Sequence, residues 1–191
     1  LVGSEMCIRD RLQDVNKGWL QKIREDAPDH VMGSTTTGGE TTPGAVKVGK
    51  GGEYANLDAV VMDAVNELID VVYQDDDDLV VICGRELLSD KYFPLVNKEQ
   101  ENSEKLAADM IISQKRMGGL QAVRAPFFPP NALLITRLDN LSIYWQEDTR
   151  RRSVIDNPKR DRIENFESVN EAYVVEDYRC AAPVSYTHLT L

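Results

Sequence analysis

The chain has 191 residues, a net charge of −10 and a pI near 4.7, with 42% hydrophobic and 28% charged residues. This length suits one domain, or one domain and part of another, and the composition is typical of a soluble globular protein. The acidic balance argues against a surface built to hold nucleic-acid phosphates, and the longest apolar runs are far too short to cross a bilayer.

The two ends of the chain mirror each other at the level of DNA. Met6–Arg11 can be encoded by a string whose reverse complement encodes Pro183–His188, and the match extends outward on both sides. No folding requirement produces such a relation, whereas a transposon end used in sequencing-library preparation does when it is translated in both orientations. We therefore expect residues 1–11 and 183–191 to be adapter-derived and the natural protein to occupy residues 12–182.

Helical periodicity dominates the first part of the chain. Leu12–Met32 is predicted to be an irregular helix that Pro28 closes. Gly33–Gly52 is rich in Gly and Thr and is predicted to be a flexible loop or a loose hairpin. Asn56 is suited to cap a helix over Leu57–Val72, whose wide apolar stripe predicts extensive burial.

The pattern changes after this helix. One unalternating apolar strand and two helices are predicted next, at Leu79–Cys83, Glu86–Phe93 and Glu104 to about Met117. Short strands follow at Leu120–Ala125, Ala132–Thr136, Leu141–Trp145, Arg162–Val169 and Glu171–Glu176. Gly118-Gly119 is expected to stop the preceding helix, and the last two strands suit a hairpin that turns near Asn170. Helices followed by a run of strands predict an α+β fold.

Two segments approach ligand-binding motifs without completing them. Gly44–Gly51 is close to a phosphate-binding loop, but Gly51 stands where Ser or Thr should hold magnesium, and no helix follows immediately. Asp75–Asp78 presents consecutive carboxylates, whereas calcium loops place their ligands at alternate positions around a glycine. We favour a mobile surface loop and a solvated turn, and we expect no metal or other cofactor.

Nucleophiles and bases are scarce once the two ends are set aside. The remaining cysteines, Cys83 and Cys180, are far apart and in no metal-ligand spacing. Cys83 follows a buried strand and has the most nucleophile-like placement, but no base partner can be named, so we favour a small core residue. His30 follows a helix-closing proline and suits a surface or capping role. No catalytic set emerges, and the chain is not predicted to be an enzyme.

One basic cluster stands out in this acidic chain. It comprises Arg150, Arg151 and Arg152, with Lys159, Arg160 and Arg162 nearby. Two interpretations fit the sequence: the cluster is a patch that pairs with an acidic partner surface, or it is a solvated turn. We retain Arg150, Arg151 and Arg152 as candidate subunit-contact residues. Nucleic-acid binding would also need aromatic residues between the cations or a known module.

Several longer segments are recognisable together. They lie in order and without large gaps, at Leu12–Lys22, Gly49–Asp58, Asp78–Arg85, Asp90–Gln100, Ile111–Arg116, Asp139–Tyr144, Asn157–Ser168 and Tyr173–Tyr178. As a set they resemble the major capsid protein of P-two-like myophages, a group of tailed bacteriophages. The resemblance fades at Arg179–Ala182, and Gly33–Gly44 cannot be aligned with it.

The resemblance implies the tailed-phage capsid fold of the Hong Kong 97 type. Residues 12–182 would hold most of the axial domain and strands that return to the peripheral domain. The N-terminal arm, the extended loop and the long spine helix would lie outside this chain. Such subunits form the pentamers and hexamers of an icosahedral virion shell, assembled in the bacterial host cytoplasm with a scaffolding protein and a maturation protease. Packaged DNA would be enclosed without specific binding, and no membrane would take part.

Two other classes stay open at this point. An α/β enzyme could use Cys83 or the Gly49–Lys50 loop, and another virion structural protein would share the same surface properties. If association is the function, a few buried aromatic and arginine side chains should dominate each contact. The aromatic candidates, for most of which core packing is the favoured role, are Trp19, Tyr92, Phe93, Phe127, Phe128, Tyr144 and Trp145.

Overall fold

The computed structural model describes residues 17–37, 40–43, 45–49, 52–96 and 114–188. Its helices are α1 (Trp19–Asp26), α2 (Leu57–Leu68), α3 (Val71–Gln74) and α4 (Arg85–Val96). Its strands are β1 (Ser34–Thr37), β2 (Glu40–Pro43), β3 (Val46–Val48), β4 (Leu79–Cys83), β5 (Arg116–Met117), β6 (Leu120–Arg124), β7 (Ala132–Arg137), β8 (Leu141–Trp145), β9 (Arg151–Asn157), β10 (Arg162–Ser168), β11 (Glu171–Val175) and β12 (Ala181–His188). None of the described helices is long and apolar enough to span a bilayer.

A six-stranded mixed sheet organises the described chain, in the order β3-β12-β7-β4-β6-β5. β4 runs parallel to β6 and antiparallel to β7, and β12 runs antiparallel to β7 and parallel to β3. Every residue of β4 is buried, which confirms the prediction that Leu79–Cys83 is covered on both faces. Helices on a mixed sheet confirm the α+β class.

The sheet separates two apolar cores, because successive strand residues point to opposite faces. The face under α2 buries Val60, Val61, Ala64, Val81, Leu133 and Ile135. The face under α1 buries Trp19, Leu20, Ile23, Ile82, Leu134 and Tyr173. Burial of each large side chain contributes roughly 1.5–3 kcal/mol, so α2 anchors one core, as its apolar stripe predicted.

The first two predicted helices are longer than those observed. α1 covers Trp19–Asp26 of the predicted Leu12–Met32, and the residues before 17 lie outside the described part. α2 ends at Leu68, because Asp70 caps the separate helix α3 by accepting a hydrogen bond from the Val72 amide. Val72 is therefore 76% exposed, and its predicted place in the buried stripe is wrong.

The turn between β5 and β6 corrects another predicted boundary. Residues 97–113 lie outside the described part, but Arg116–Met117, expected to end a helix, is the strand β5. Gly118 and Gly119 both have positive φ, as a type I′ hairpin turn requires, and they close this hairpin. The Gly- and Thr-rich stretch Gly33–Gly52 contains the β1–β2 hairpin, which fits the loose hairpin that was one of its two predicted forms. It also contains β3, which the sequence did not predict.

Strand pairing in the second half also departs from expectation. β6, β7, β8, β10 and β11 confirm the predicted strands, whereas β9 was missed. The predicted hairpin near Asn170 is wrong, because β10 pairs with β9 and β11 pairs with β8. Two antiparallel ladders therefore stand beside the main sheet, joined through Asn170.

Strand β12 contains residues that the sequence assigned to an adapter. Val184 and Tyr186 are buried in the core under α2, and the strand pairs with β7 and β3. The fold therefore uses residues 183–188 in its main sheet. The adapter origin of residues 183–191 stays a prediction, as does that of residues 1–11, which lie outside the described part.

Candidate subunit-contact surface

The β9–β10 hairpin is open to solvent on both faces. Its register places Ile155 and Phe166 on one face and Val154 and Ile163 on the other. The exposed fractions are 50% and 55% for the first pair and 61% and 72% for the second. A two-stranded hairpin in water is marginally stable at best. Apolar side chains on both faces therefore mark the hairpin as a candidate contact surface.

The three candidate arginines lie at the base of this hairpin. Arg150 donates through Nε and Nη2 to Glu167 Oε1, at 2.8 and 2.6 Å. These hydrogen bonds lower the pKa of the Glu167 carboxyl below its ordinary value. Arg151 and Arg152 belong to β9, and Arg152 Nε lies 3.4 Å from Asn165 Oδ1. Two of the three arginines are thus strand residues, so the alternative of a solvated turn is wrong for them.

The basic cluster is divided between the two ends of the hairpin. β9 has seven residues, which separates Arg151 from the turn by about 20 Å at the usual rise per strand residue. At the turn, Arg162 Nε donates to Glu164 Oε1 at 2.7 Å. Within the described residues, Lys159 and Arg160 form no ion pair. The turn of the hairpin therefore presents positive charge that its own chain leaves unpaired over the described ranges.

An open groove of about 820 Å³ lies where the hairpin meets the β8–β11 ladder. It is lined by Trp145, Gln146, Glu147, Asp148, Arg150, Glu167, Ser168, Val169 and Glu171. Trp145 is 70% exposed, which is unusual for the largest aromatic side chain. Carboxylates outnumber cations along the lining, and the guanidinium of Arg150 is already paired with Glu167. The groove therefore combines an aromatic wall with a surplus of negative charge.

Backbone and side-chain hydrogen bonds fix the walls of this groove. Thr149 Oγ1 donates to the Gln146 carbonyl at 2.7 Å, and the Gln146 amide donates to the Asn170 carbonyl at 3.0 Å. The Asn170 amide in turn donates to Thr149 Oγ1 at 3.4 Å. These bonds connect the entry and exit of the hairpin and hold the walls of the groove together.

The aromatic candidates divide by burial. Those in the cores are Trp19, Tyr92 and Phe128. Those that are more than half exposed are Phe93, Phe127, Tyr144 and Trp145. Tyr144 Oη donates to Glu176 Oε1 at 3.0 Å on the same ladder that carries Trp145. The exposed group is the one able to contact another molecule, and two of its members adjoin the hairpin.

Cys83 does not have the properties of a nucleophile. It is fully buried at the end of β4, and burial raises the pKa of its thiol to about 11. A thiol with this pKa is protonated at neutral pH, whereas the thiolate is the reactive form. The small core residue favoured by the sequence is what the fold contains.

The motif-like loops also lack the geometry of ligand sites. In the loop around Gly49, β3 precedes the glycine but α2 begins only at Leu57, so no helix N-terminus follows the loop directly. Lys50 and Gly51 lie outside the described residues. Within Asp75–Asp78, Asp76 pairs with Arg137 at 2.9 Å, at the turn that leads into β4. Over the described ranges, no three His, Cys, Asp or Glu side chains come together as metal ligands.

His30 and Asp177 hold elements of the fold together. His30 Nδ1 donates to the Leu68 carbonyl at 2.6 Å and so caps the end of α2, which is the second of the surface and capping roles expected for it. Asp177 accepts hydrogen bonds from Arg179 Nη2 at 2.8 Å and Tyr73 Oη at 2.9 Å. The Arg179 hydrogen bonds lower the pKa of Asp177 to about 2. These polar groups join α3 to the start of β12 and have a structural role.

Solved capsid structures share this architecture. The chain aligns with a protein of the satellite phage P4 procapsid that includes the size determination (Sid) protein, with a TM-score of 0.80 and 54% identity. That alignment covers 97% of this chain and 56% of the other. The capsid of an empty GTA particle aligns with a TM-score of 0.51 over 97% of this chain and 60% of that one, at 13% identity, which shows the fold alone. The fold is that of a phage capsid subunit, as the sequence resemblance implied.

Sequence comparison gives the family within this class. The model described as phage major capsid protein, P2 family, matches residues 4–186, and the chain belongs to this family. It is 64% identical to the capsid proteins of Escherichia phage P2 over 176 residues, covering 92% of this chain and 49% of the relative. It is 39% identical to the major capsid protein of Serratia phage KSP20 over 170 residues, covering 87% and 48%. The chain spans about half the length of the curated relatives it matches.

Proposed function

We propose that this chain assembles with copies of itself into pentamers and hexamers that tile an icosahedral shell around packaged DNA. The observation that carries the proposal is the 64% identity to a phage P2 capsid protein over 92% of the chain. The open hairpin supports it, because apolar side chains on both faces of β9–β10 need a covering surface. The function is association and not catalysis, in keeping with the protonated state of the Cys83 thiol.

The two parts of the fold have different places in the shell. The six-stranded sheet with α1, α2 and α4 forms the axial domain, and the β8–β11 and β9–β10 ladders are the strands that return to the peripheral domain. The N-terminal arm, the extended loop and the spine helix belong to the part of the family's length that this chain does not span. Residues 12–182 are the natural protein, and the residues on either side are adapter-derived.

Arg150, Arg151 and Arg152 contribute to a contact between neighbouring copies. They lie at the base of the exposed hairpin and beside the groove that contains Trp145. Arginine and tryptophan are the side chains most enriched among residues that dominate protein interfaces. The net charge of −10 gives a neighbouring copy ample carboxylates with which Arg151 and Arg152 can pair, while Arg150 is held by Glu167 of its own chain.

The remaining partners follow from the family resemblance. A scaffolding protein and a maturation protease of the phage act on the assembling shell in the bacterial host cytoplasm, and the mature location is the virion. The net charge of −10 on this chain supports a wall that encloses DNA without binding it specifically, because phosphate binding depends on Lys and Arg. If shells of the full-length protein bound duplex DNA tightly on their inner face at physiological salt, this part would be wrong.

Electron microscopy tests the assembly proposal. The protein extended to the full length of its relatives is expected to form uniform icosahedral shells, whereas residues 12–182 alone should stay small or aggregate. Replacing Arg150, Arg151 and Arg152 by Glu in the full-length protein should reduce the yield of shells. The matched control replaces the exposed residues Lys47, Arg85 and Arg124 by Glu and should assemble normally.

Each result has a distinct meaning. A full-length protein that stays a stable monomer contradicts the shell function itself. Uniform shells formed by residues 12–182 alone contradict the proposed division into domains. Equal loss of shells in the two triple variants contradicts the contact role of the hairpin arginines and leaves the shell function standing.

A further inference from the structure

The groove at the base of the hairpin has the composition of a binding site for a basic, exposed segment. Trp145 offers an aromatic face, on which a guanidinium or ammonium group gains a cation–π interaction. The side chains of Glu147 and Asp148 are exposed beside it, and Glu171 lies opposite Trp145 in the ladder register. The one cation among the lining residues, Arg150, is paired with Glu167. Negative charge therefore remains available to an incoming cation.

The turn of the same hairpin has the complementary composition. Pro158, Lys159 and Arg160 are exposed at its end, and the turn is closed by the Arg160 amide donating to the Asn157 carbonyl at 3.1 Å. Lys159 and Arg160 have no ion pair within the described ranges. Asp161 is also exposed in this turn, so two cations and one carboxylate give Pro158–Asp161 a net charge of +1 in a chain whose net charge is −10.

The turn cannot reach the groove of its own chain. Continuous pairing from Arg151↔Ser168 to Asn157↔Arg162 keeps the hairpin extended. The turn therefore stays about 20 Å from the groove, given the rise of a strand residue. A second copy of the chain can bring a complementary turn to this groove, and every copy carries both surfaces.

We propose that the hairpin turn of one copy, Pro158–Asp161, docks into the groove beside Trp145 of a second copy. Arg160 lies over the indole ring, and Lys159 pairs with the carboxylates of Glu147 and Glu171. The two surfaces differ, so the contact is heterologous, and a head-to-tail contact closes into a ring when its rotation permits. This inference rests on the proposed self-association and names the surfaces that make it.

Charge reversal on either side of the contact tests this pairing in the 191-residue chain. The turn variant carries Lys159→Glu and Arg160→Glu, and the groove variant carries Glu147→Lys and Glu171→Lys. Each variant alone brings like charges together, so its association constant from sedimentation equilibrium should fall about tenfold or more. An equimolar mixture should restore association, because each turn then meets a groove of opposite charge.

Two further variants separate contact from fold. Lys47→Glu with Arg124→Glu changes the net charge as the turn variant does, at exposed positions outside the hairpin, and should associate like the original chain. Trp145→Ala removes a side chain that is 70% exposed, so the fold should be kept while association weakens. Far-ultraviolet circular dichroism of every variant checks that the fold is unchanged.

The outcomes distinguish this contact from the shell function. Failure of the mixture to restore association, or absence of self-association in the original chain at millimolar concentration, overturns the docking proposal. Binding of duplex DNA that the turn variant loses, with self-association unchanged, assigns the turn to nucleic acid and also overturns it. Shell formation by the full-length protein is read separately by electron microscopy, and its success or failure decides the proposed function alone.

Discussion

The turn between β5 and β6 tests the packing of the sheet edge against α2, because its two glycines differ in their surroundings. Gly118 and Gly119 have φ values of 55° and 88°, so both need a left-handed backbone. A methyl group on Gly118 would lie 2.7 Å from Val61 Cγ1 and 3.1 Å from the Asp58 carbonyl oxygen. A methyl group on Gly119 would meet nothing within 4 Å. Gly118→Ala and Gly119→Ala are therefore a matched pair.

The expected losses follow from three contributions. A left-handed backbone costs an alanine about 1–2 kcal/mol, and overpacking a core site adds about 1–3 kcal/mol. The smaller entropy of the unfolded chain offsets about 0.4–1 kcal/mol of this loss. Gly118→Ala should thus lower the free energy of unfolding by about 2–4 kcal/mol. Gly119→Ala, which lacks the overpacking, should lower it by about 1 kcal/mol.

Urea unfolding followed by tryptophan fluorescence measures both losses by linear extrapolation. Adding Val61→Ala to Gly118→Ala should recover less than the full loss, because the new methyl then has space while Val61 leaves a partly filled cavity. Equal destabilisation by Gly118→Ala and Gly119→Ala would refute the reasoning, since the contact with α2 would then have no measurable effect on stability.

Three further predictions concern single side chains. The pKa of Asp177 is about 2 when folded, against an ordinary 3.8. Its carboxylate therefore stabilises the fold above pH 3.8, and this contribution disappears as the pH falls toward 2. Thermal melts at a series of pH values should show that Asp177→Asn lacks this acid-dependent part of the stability. Burial should make the Cys83 thiol slow to react with a disulfide reagent at neutral pH and fast in urea, as absorbance reports. Trp19→Phe removes the indole N–H that donates to the Ser142 and Val174 carbonyls, so urea unfolding should show a loss of about 1–2 kcal/mol.

Local patterns predicted the elements whose burial is uniform. The five successive apolar side chains of Leu79–Cys83 are shielded from water only if both faces of the strand are covered, and all five are buried. Asn56 caps α2 as expected, since its side chain accepts a hydrogen bond from the Ala59 amide at 2.9 Å. The end of α2 was missed because Val72 continues the helical spacing of apolar residues. The Asp70 side chain instead caps a new helix by accepting a hydrogen bond from the Val72 amide.

Strand partners depend on burial that sequence periodicity does not specify. Only Val169 and Asn170 separate β10 from β11, so a hairpin between these strands was a natural expectation. Tyr173 and Val175 of β11 are instead buried with the core under α1 when β11 pairs with β8. Packing in that core therefore decides which strands pair.

The same limit explains why the groove was not anticipated. The arginine run marked the base of the hairpin, but the groove depends on the ladder register that places Glu171 opposite Trp145. These two residues are far apart in sequence, and neither belongs to a motif. Their proximity exists only once β8 and β11 have paired, so the sequence could single out the arginines and Trp145 separately but not the groove that brings Trp145 and Glu171 together.

The position of Pro183 shows how the main sheet accepts a proline inside β12. Proline has no amide hydrogen, so it is tolerated in a strand only where no ladder bond needs that donor. The Pro183 carbonyl accepts a hydrogen bond from the Met32 amide at 3.2 Å, and the nitrogen of a strand residue faces the same side as its carbonyl. The nitrogen therefore faces Met32, while Ala182 and Val184 turn their backbone groups toward β7. The ladder between β12 and β7 therefore loses no hydrogen bond at Pro183. Val184 and Tyr186 can accordingly fill the core under α2, whatever the origin of the segment.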